Sequence, residues 1–312
     1  MEMNVREQIA TALFAYAKNN SLDNVEIAKK TKVDKAYIGS IMTGDFYYTS
    51  NNTKRLIPAK HFNVLSDFIG LQIEKSYWEN QPTPQMIKAI GVLADAKKFG
   101  ETNVIVGDTG CGKTHTINAF LKANPKDTFV VTVGSIDSIA DLIDILLDKL
   151  HLPIAKTKGK KVRDIINKLK TLKNEGEAPI IIFDEAEYMK QVVFNLIKQF
   201  YDGLKGYCGI VLIGTDQIMR KIEALKRRDK DGIPQFYRRI KFNIRTLPKV
   251  DKDISYKLFL TDITDNELIR LLKANCDNYG ELHDVLVPSL READRTDQPL
   301  TTAFVKMITG IN

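Results

Sequence analysis

An α/β fold is predicted: a parallel five-stranded sheet flanked by helices, followed by a helical lid and preceded by an all-α domain. Three observations predict it. Residues 103–116, NVIVGDTGCGKTHT, carry an apolar run into Gly107-x-x-x-x-Gly112-Lys113-Thr114. Residues 179–187, PIIIFDEAE, are an apolar run that ends in two adjacent carboxylates about 70 residues further on. Short apolar runs at 128–133, 209–214 and 240–244 alternate with amphipathic stretches, which is the pattern of parallel strands joined by helices.

The first stretch is a phosphate-binding loop. Gly107, Gly110 and Gly112 let the backbone turn its N–H groups inward around a phosphate chain, where a Cβ would obstruct it. The helix that follows then points its positive dipole end at the negative charge. The nucleotide-binding candidates are therefore Gly107, Asp108, Thr109, Gly110, Cys111, Gly112, Lys113, Thr114 and His115. Lys113 supplies a point charge to the β- and γ-phosphates, and the Thr114 hydroxyl ligates the magnesium that neutralises the rest. The expected ligands are ATP and Mg2+.

The second stretch reads as a buried strand that delivers Asp184 and Glu185 to its carboxyl end, the rim where open α/β sheets bind ligands. Asp184 would hold the magnesium, and Glu185 would orient and deprotonate the water that attacks the γ-phosphate. Thr215 ends the strand 209–214, next to the strand of Asp184. A polar group there can touch the γ-phosphate or the attacking water.

At 312 residues the chain is long enough for two domains, or for one large domain with an appendage, and its composition is that of a globular protein. No apolar run approaches the roughly 20 residues of a membrane helix. The first residues, MEMNVREQ, lack the basic start and apolar core of a signal peptide, so a cytoplasmic protein is expected. Cys111, Cys208 and Cys276 have no metal-site spacing, and neither disulfide nor zinc is expected. Cys208 and Cys276 read as small packing residues, Cys111 as a thiol open to modification.

The net charge of +7 is unevenly spread. Residues 151–173 hold eight Lys or Arg against one Asp, residues 216–245 hold ten against four acids, and residues 251–312 hold seven against eleven. The surplus beside the nucleotide motifs suggests a surface that contacts a phosphate backbone. Its candidate contacts are Lys156, Lys158, Lys160, Lys161 and Arg163, with Arg220, Lys221, Arg227 and Arg228.

Taken in order, residues 4–18 form an amphipathic helix. Asp23-x-x-Glu26 is a capping box that opens a short helix through Thr31, and residues 34–42 form another. The two short helices resemble the helix-turn-helix of repressor-like domains, and on that resemblance Lys35, Tyr37 and Ser40 face DNA, although a small helical protein-interaction domain would need the same caps and core. Residues 60–71 close this bundle. The expected divisions are a helical domain at 1–78, a Pro-marked linker at 79–85, the sheet-bearing core at 86–248 and the lid at 249–312. Within the core, helices are expected at 86–98, 136–150, 162–174 and 188–201, with a flexible basic loop at 156–161. Arg238 and Arg239 precede the strand 240–244. Lid helices are expected at 253–260, 265–275, 281–293 and 300–309.

Over residues 84–312 this order resembles the AAA+ ATPases. Within that superfamily, VGDTGCGKT, IIIFDEAEYM and VLIGT, with a helical domain in front of a compact core, resemble the Mu B family, the target-selecting ATPases of Mu-like transposable phages. The resemblance implies an ATPase that binds non-specific duplex DNA as a head-to-tail filament or ring, takes a cognate transposase as partner and releases DNA on hydrolysis. It implies Thr215 as the first phosphate sensor and Arg239, or its neighbour Arg238, as an arginine finger reaching the next protomer. Many AAA+ members carry Asn where this chain has Thr215, and Arg where the lid has His283. Helicase loaders share the core, and an ATP-switched transcription regulator would also account for the helix-turn-helix.

Overall fold

The structure is a computed structural model that describes residues 3–50, 53–71, 77–296 and 298–311. The chain divides into two compact units, Met1–Ser76 and Tyr77–Asn312.

In the first unit, α1 (Met3–Asn19), α2 (Asn24–Thr31) and α3 (Lys35–Met42) precede a ribbon of β1 (Tyr47–Ser50) and β2 (Thr53–Leu56), and α4 (Ala59–Phe68) closes the unit. The Asp23 side chain accepts the Glu26 N–H at 2.7 Å, while Glu26 accepts the Asp23 N–H at 3.0 Å. Such a cap stabilises a short helix by about 1 kcal/mol. Lys32 leaves α2 in the left-handed region, φ 58°, and Asp34 caps α3 through the Ala36 N–H at 2.8 Å. Ile9, Leu13, Ile27, Ile38, Ile41 and Phe62 are completely buried between the helices. The expectation of an all-α domain is corrected by the antiparallel pairing of Tyr47 with Leu56 through Ser50 with Thr53. The run YYT, paired with Leu56, Arg55 and Lys54, is aromatic and β-branched, and no helical apolar period competes with strand pairing there.

The second unit opens with α5 (Pro84–Phe99), so the end of the expected linker is helical. Proline at the first helical position loses no hydrogen bond, and the Thr83 hydroxyl accepts the Met86 N–H at 3.2 Å. There follow β3 (Thr102–Val106), α6 (Lys113–Ala123), β4 (Thr128–Thr132), α7 (Ile139–Lys149), α8 (Lys158–Asn174), β5 (Ile180–Asp184) and a 3-10 turn at Ala186–Tyr188. The core ends with α9 (Gln191–Leu204), β6 (Gly209–Gly214), α10 (Asp216–Arg227), α11 (Ile233–Ile240) and β7 (Ile244–Thr246).

All five strands are parallel, in the order β4-β5-β6-β3-β7. β3, β5 and β6 are buried along their whole length, as strands covered by helices on both faces must be. Because β6 lies between β3 and β5, three strand ends stand side by side: the phosphate loop, Thr215 and Asp184.

Two expectations fail for local reasons. Residues 156–161 are not a flexible loop, because Thr157 caps α8 by accepting the Lys160 N–H at 3.3 Å, and the helix starts at Lys158. The last strand lies later than expected, and Arg238 and Arg239 are on a helix. Ile233, Phe236 and Ile240 recur at helical spacing and are all buried, so the segment winds as α11 until Ile240.

The lid consists of α12 (Lys252–Ser255), a 3-10 turn at Tyr256–Leu258, α13 (Asn266–Asn275), α14 (Tyr279–Thr296) and α15 (Thr302–Thr309) around Tyr256, Leu268, Leu272, Leu282 and Val305. It is tied to the core where the Tyr279 hydroxyl donates to Gln85 Oε1 at 2.8 Å and the Gly280 N–H donates to the Gly110 carbonyl at 3.2 Å. No helix of the described residues is long and apolar enough to cross a membrane.

Candidate nucleotide site

Val106 leaves β3 into the loop, and Gly110 (φ 71°) and Gly112 (φ 88°) take the left-handed turns that bring the chain round to α6. A Cβ at Gly110 would lie 2.1 Å from Asn278 Oδ1, so glycine here also lets the lid seat on the loop. Lys113 heads α6 and donates from Nζ to the carbonyls of Gly107 (3.0 Å) and Asp108 (2.8 Å), which holds its ammonium across the loop.

Thr114 donates from its hydroxyl to Asp184 Oδ2 at 2.8 Å, and the Glu185 N–H donates to Asp184 Oδ1 at 3.0 Å. The Thr114 hydroxyl and the Asp184 carboxylate form an all-oxygen pair at the mouth of the loop, which suits Mg2+. Among the described residues no group of three or more His, Cys, Asp or Glu could hold a metal. An ion here would complete its shell with water and phosphate oxygens, as Mg2+ does in nucleotide sites. Bound with ATP, it would neutralise charge on the phosphates.

Glu185 is left-handed, φ 55° and ψ 37°, which costs a residue with a side chain about 1–2 kcal/mol. That turn brings its side chain into the wall of the cavity. Burial first, then the charges of Glu187 and Asp184, raise its carboxyl above the usual range, and Lys113 opposes them. A carboxylate so raised is a better proton acceptor, as a group that takes a proton from water must be.

The cavity measures about 410 Å3 and is lined by the phosphate loop, His115, Glu185, Glu187 and Thr215. Its other wall is aromatic and comes from the start of the unit and the lid. Trp78 stacks on Phe259 with centroids 4.4 Å apart, and meets the edge of His283 at 5.2 Å. His115 and His283 are close enough that, after burial, the second imidazole lowers the pKa of the first.

Several residues that line the cavity were missed in the sequence. Glu187 is 5% exposed and accepts the Thr215 N–H at 3.2 Å. It lies three residues past Asp184 in the PIIIFDEAE run, and no motif marks it. Trp78 and Phe259 carry no motif, and only the fold brings them together.

Other expected residues lie elsewhere. Neither Arg238 nor Arg239 lines the cavity. Arg239 is bound to Asp202 at 2.7 Å and lies over the Tyr201 ring at 5.5 Å, whereas Arg238 is exposed. Lys161 pairs with Asp144 at 2.6 Å with its side chain 14% exposed, and Lys221 donates to the carbonyls of Glu187 and Met189. Both are therefore corrected from DNA contacts to structural cations, because each amine is used within the fold. Arg220 forms an ion pair with Asp216, an exposed pair. Lys156, Lys158, Lys160, Arg163, Arg227 and Arg228 are exposed, and Lys35 lies in the first unit. Cys111 is 2% exposed and its thiol pKa is raised by burial, which removes it as a reactive thiol.

Strand order, phosphate loop and the carboxylates after β5 define a P-loop nucleotide-binding core whose donors suit ATP with Mg2+. Within the chain, residues 101–222 match the family model described as an AAA domain. The fold is similar to that of Aeropyrum pernix Orc1 in complex with DNA (TM-score 0.55, 13% identity, covering 75% of this chain and 66% of that one). It is similar also to Pyrobaculum aerophilum Cdc6 (TM-score 0.53, 13% identity, 72% and 66%) and to A. pernix Orc2 in its ADPNP-ADP complexes (TM-score 0.52, 15% identity, 73% and 66%). At such identities the likeness is one of fold, and the chain spans just under two-thirds of each of those proteins. No match is found among curated proteins.

Proposed function

We propose that this protein is an ATP-dependent DNA-binding ATPase of DNA transposition, acting in the cytoplasm. With ATP bound it assembles head to tail on non-specific duplex DNA, selects a target segment and delivers it to a cognate transposase. Hydrolysis ends the assembly. The reading rests above all on Arg238. The cavity holds what is needed to bind a triphosphate and activate water, while the exposed arginine of the pair lies on α11 outside it. The arginine that reaches a γ-phosphate then comes from a neighbouring copy, and ATP bridges the two.

Lys113 and the start of α6 hold the phosphates. Glu185 takes a proton from water as its oxygen attacks the γ-phosphorus, and ADP and phosphate leave. Assembly aligns the exposed Lys156, Lys158, Lys160 and Arg163 of successive copies, with Arg227 and Arg228, along the DNA backbone. Contacts that are weak singly become strong in series. The Mu B resemblance supports the transposase as partner, and the likeness in fold to an Orc1 protein solved with DNA agrees with a DNA-associated role.

Lys113→Ala is expected to abolish ATP binding and ATP-dependent DNA binding together. Glu185→Gln is expected to keep both and stop turnover, giving long-lived DNA complexes. The reading fails if the purified chain, given ATP, Mg2+ and long duplex DNA, stays monomeric and binds no better than without nucleotide. Separate pull-downs with a transposase and a replicative helicase distinguish transposition from helicase loading. Retention of one operator against random competitor DNA would indicate a regulator instead.

A further inference from the structure

The five-stranded sheet ends in β4, whose outer side carries no further strand among the described residues. The Ile180 N–H donates to the Asp127 carbonyl and the Val133 N–H to the Asp184 carbonyl, both at 2.9 Å, so the odd-numbered residues turn their backbone groups to β5. In a parallel pair the alternate residues turn theirs the other way. Thr128, Val130 and Thr132 therefore direct N–H and C=O groups outward.

Open edges are commonly guarded by a charge or a proline within the strand, and β4, TFVVT, has neither. The groove beside it measures about 490 Å3 and is lined in part by Thr128 and Val130. Leu121, Phe129, Leu150 and Leu152 give it an apolar surface. The Thr128 hydroxyl is buried and has no hydrogen-bond partner. An unpaired buried hydroxyl is unfavourable, and a ligand in the groove that offers a donor or an acceptor would relieve it.

Lys126, Lys149, His151 and Lys168 also line the groove, and no carboxylate does. Lys126 is answered by Glu177 at 2.9 Å, whereas Lys149 and Lys168 form no ion pair among the described residues. Cations around an edge keep two copies of it from pairing, because each copy would set its lysines against the other's. A second copy of this chain is thus the wrong occupant. Duplex DNA fits no better, since its phosphates are acceptors only and leave the outward carbonyls and the apolar surface unmatched. An extended peptide matches alternating donors and acceptors along a strand, and acidic residues within it would meet the lysines.

We propose that the β4 edge and its groove bind an acidic, extended segment of a partner protein, which adds as a further strand through Thr128, Val130 and Thr132. Thr132 lies in register with Asp184, so the groove around Thr128 is toward the end of the sheet opposite the phosphate loop. The segment and ATP therefore bind without competing. The inference does not depend on the proposed function.

The test is a displayed library of random peptides of about ten residues, long enough to span the strand, selected on the full chain. Enriched peptides are synthesised and titrated by fluorescence anisotropy, and are expected to be acidic with apolar residues at alternate positions. Val130→Pro removes an outward N–H and none that β5 uses, as edge prolines do, and should weaken those peptides by at least about 10-fold. Lys149→Glu/Lys168→Glu should weaken them as much and should instead bind versions with lysine in place of their acids. In the charge-reversed protein the thermal midpoint and peptide-free ATP turnover should match wild type, and that protein decides the matter if Val130→Pro does not fold. A library that yields no binder overturns the proposal, as do peptides that lack acids or that bind either variant as tightly as wild type. Nucleotide-free duplex binding lost in the charge-reversed protein, with peptide binding retained, would assign the lysines to DNA and overturn it too.

Discussion

Glu187 Oε1 accepts the backbone N–H of Thr215 at 3.2 Å, tying the turn after β5 to the end of β6. Its second oxygen and the Thr215 hydroxyl are both buried without a hydrogen-bond partner. Leaving such groups unpaired costs about 1–3 kcal/mol each. Both residues line the nucleotide cavity, where strained or unsatisfied groups are retained for function. Glycine at 214 makes room for this arrangement, since a Cβ there would lie 2.4 Å from Glu187 Oε2.

Glu187→Gln is expected to lower turnover by at least about 10-fold while leaving ATP affinity within a few-fold. Gly214→Ala should do the same by displacing the carboxylate. Steady-state hydrolysis and a nucleotide titration measure both. Normal turnover in Gly214→Ala would show that the placement of Glu187 does not matter.

The two neighbouring arginines should separate cleanly. Arg238→Ala is expected to cut the turnover of the assembled form by about 1,000-fold or more, the usual effect of losing an arginine finger. Arg239→Ala breaks the pair with Asp202 and should cost about 1 kcal/mol of stability with turnover retained. Mixing the Arg238→Ala and Lys113→Ala proteins should restore hydrolysis, because each supplies what the other lacks at a shared interface. Silence of the mixture would argue against an arginine in trans.

Among the lysines of α8, Lys158 and Lys160 are exposed and Lys161 is paired with Asp144. Lys158→Ala/Lys160→Ala should flatten the salt slope of ATP-dependent duplex binding by about two. Lys161→Ala should lower the melting temperature and leave the slope nearly unchanged. Equal slopes for all three proteins would return α8 to an ordinary solvated helix.

Trp78 is the single tryptophan of the chain and lines the cavity against Phe259. Intrinsic fluorescence should therefore change on adding ATP with Mg2+, with Trp78→Phe as the silent control. A flat emission spectrum during a titration that binds nucleotide by another readout would place the ligand away from this wall.

Much of this protein was legible in its residues. Gly107 to Thr114 can only be followed by a helix under a phosphate chain, because glycine spacing and a helix dipole act over a few residues. The capping box at Asp23 and Glu26 is equally local, and so is the apolar run that delivers Asp184 to a strand end. These follow from backbone sterics and short hydrogen bonds, which neighbouring residues determine among themselves. Other features depend on residues far apart in the chain. Arg239 became a structural cation because Asp202, on a different helix, neutralises it, and Lys221 was taken up by the carbonyls of Glu187 and Met189. The meeting of Trp78 with Phe259, and of Glu187 with Thr215, likewise depended on the closing of lid and sheet, since long-range packing decides which polar groups remain available to a ligand.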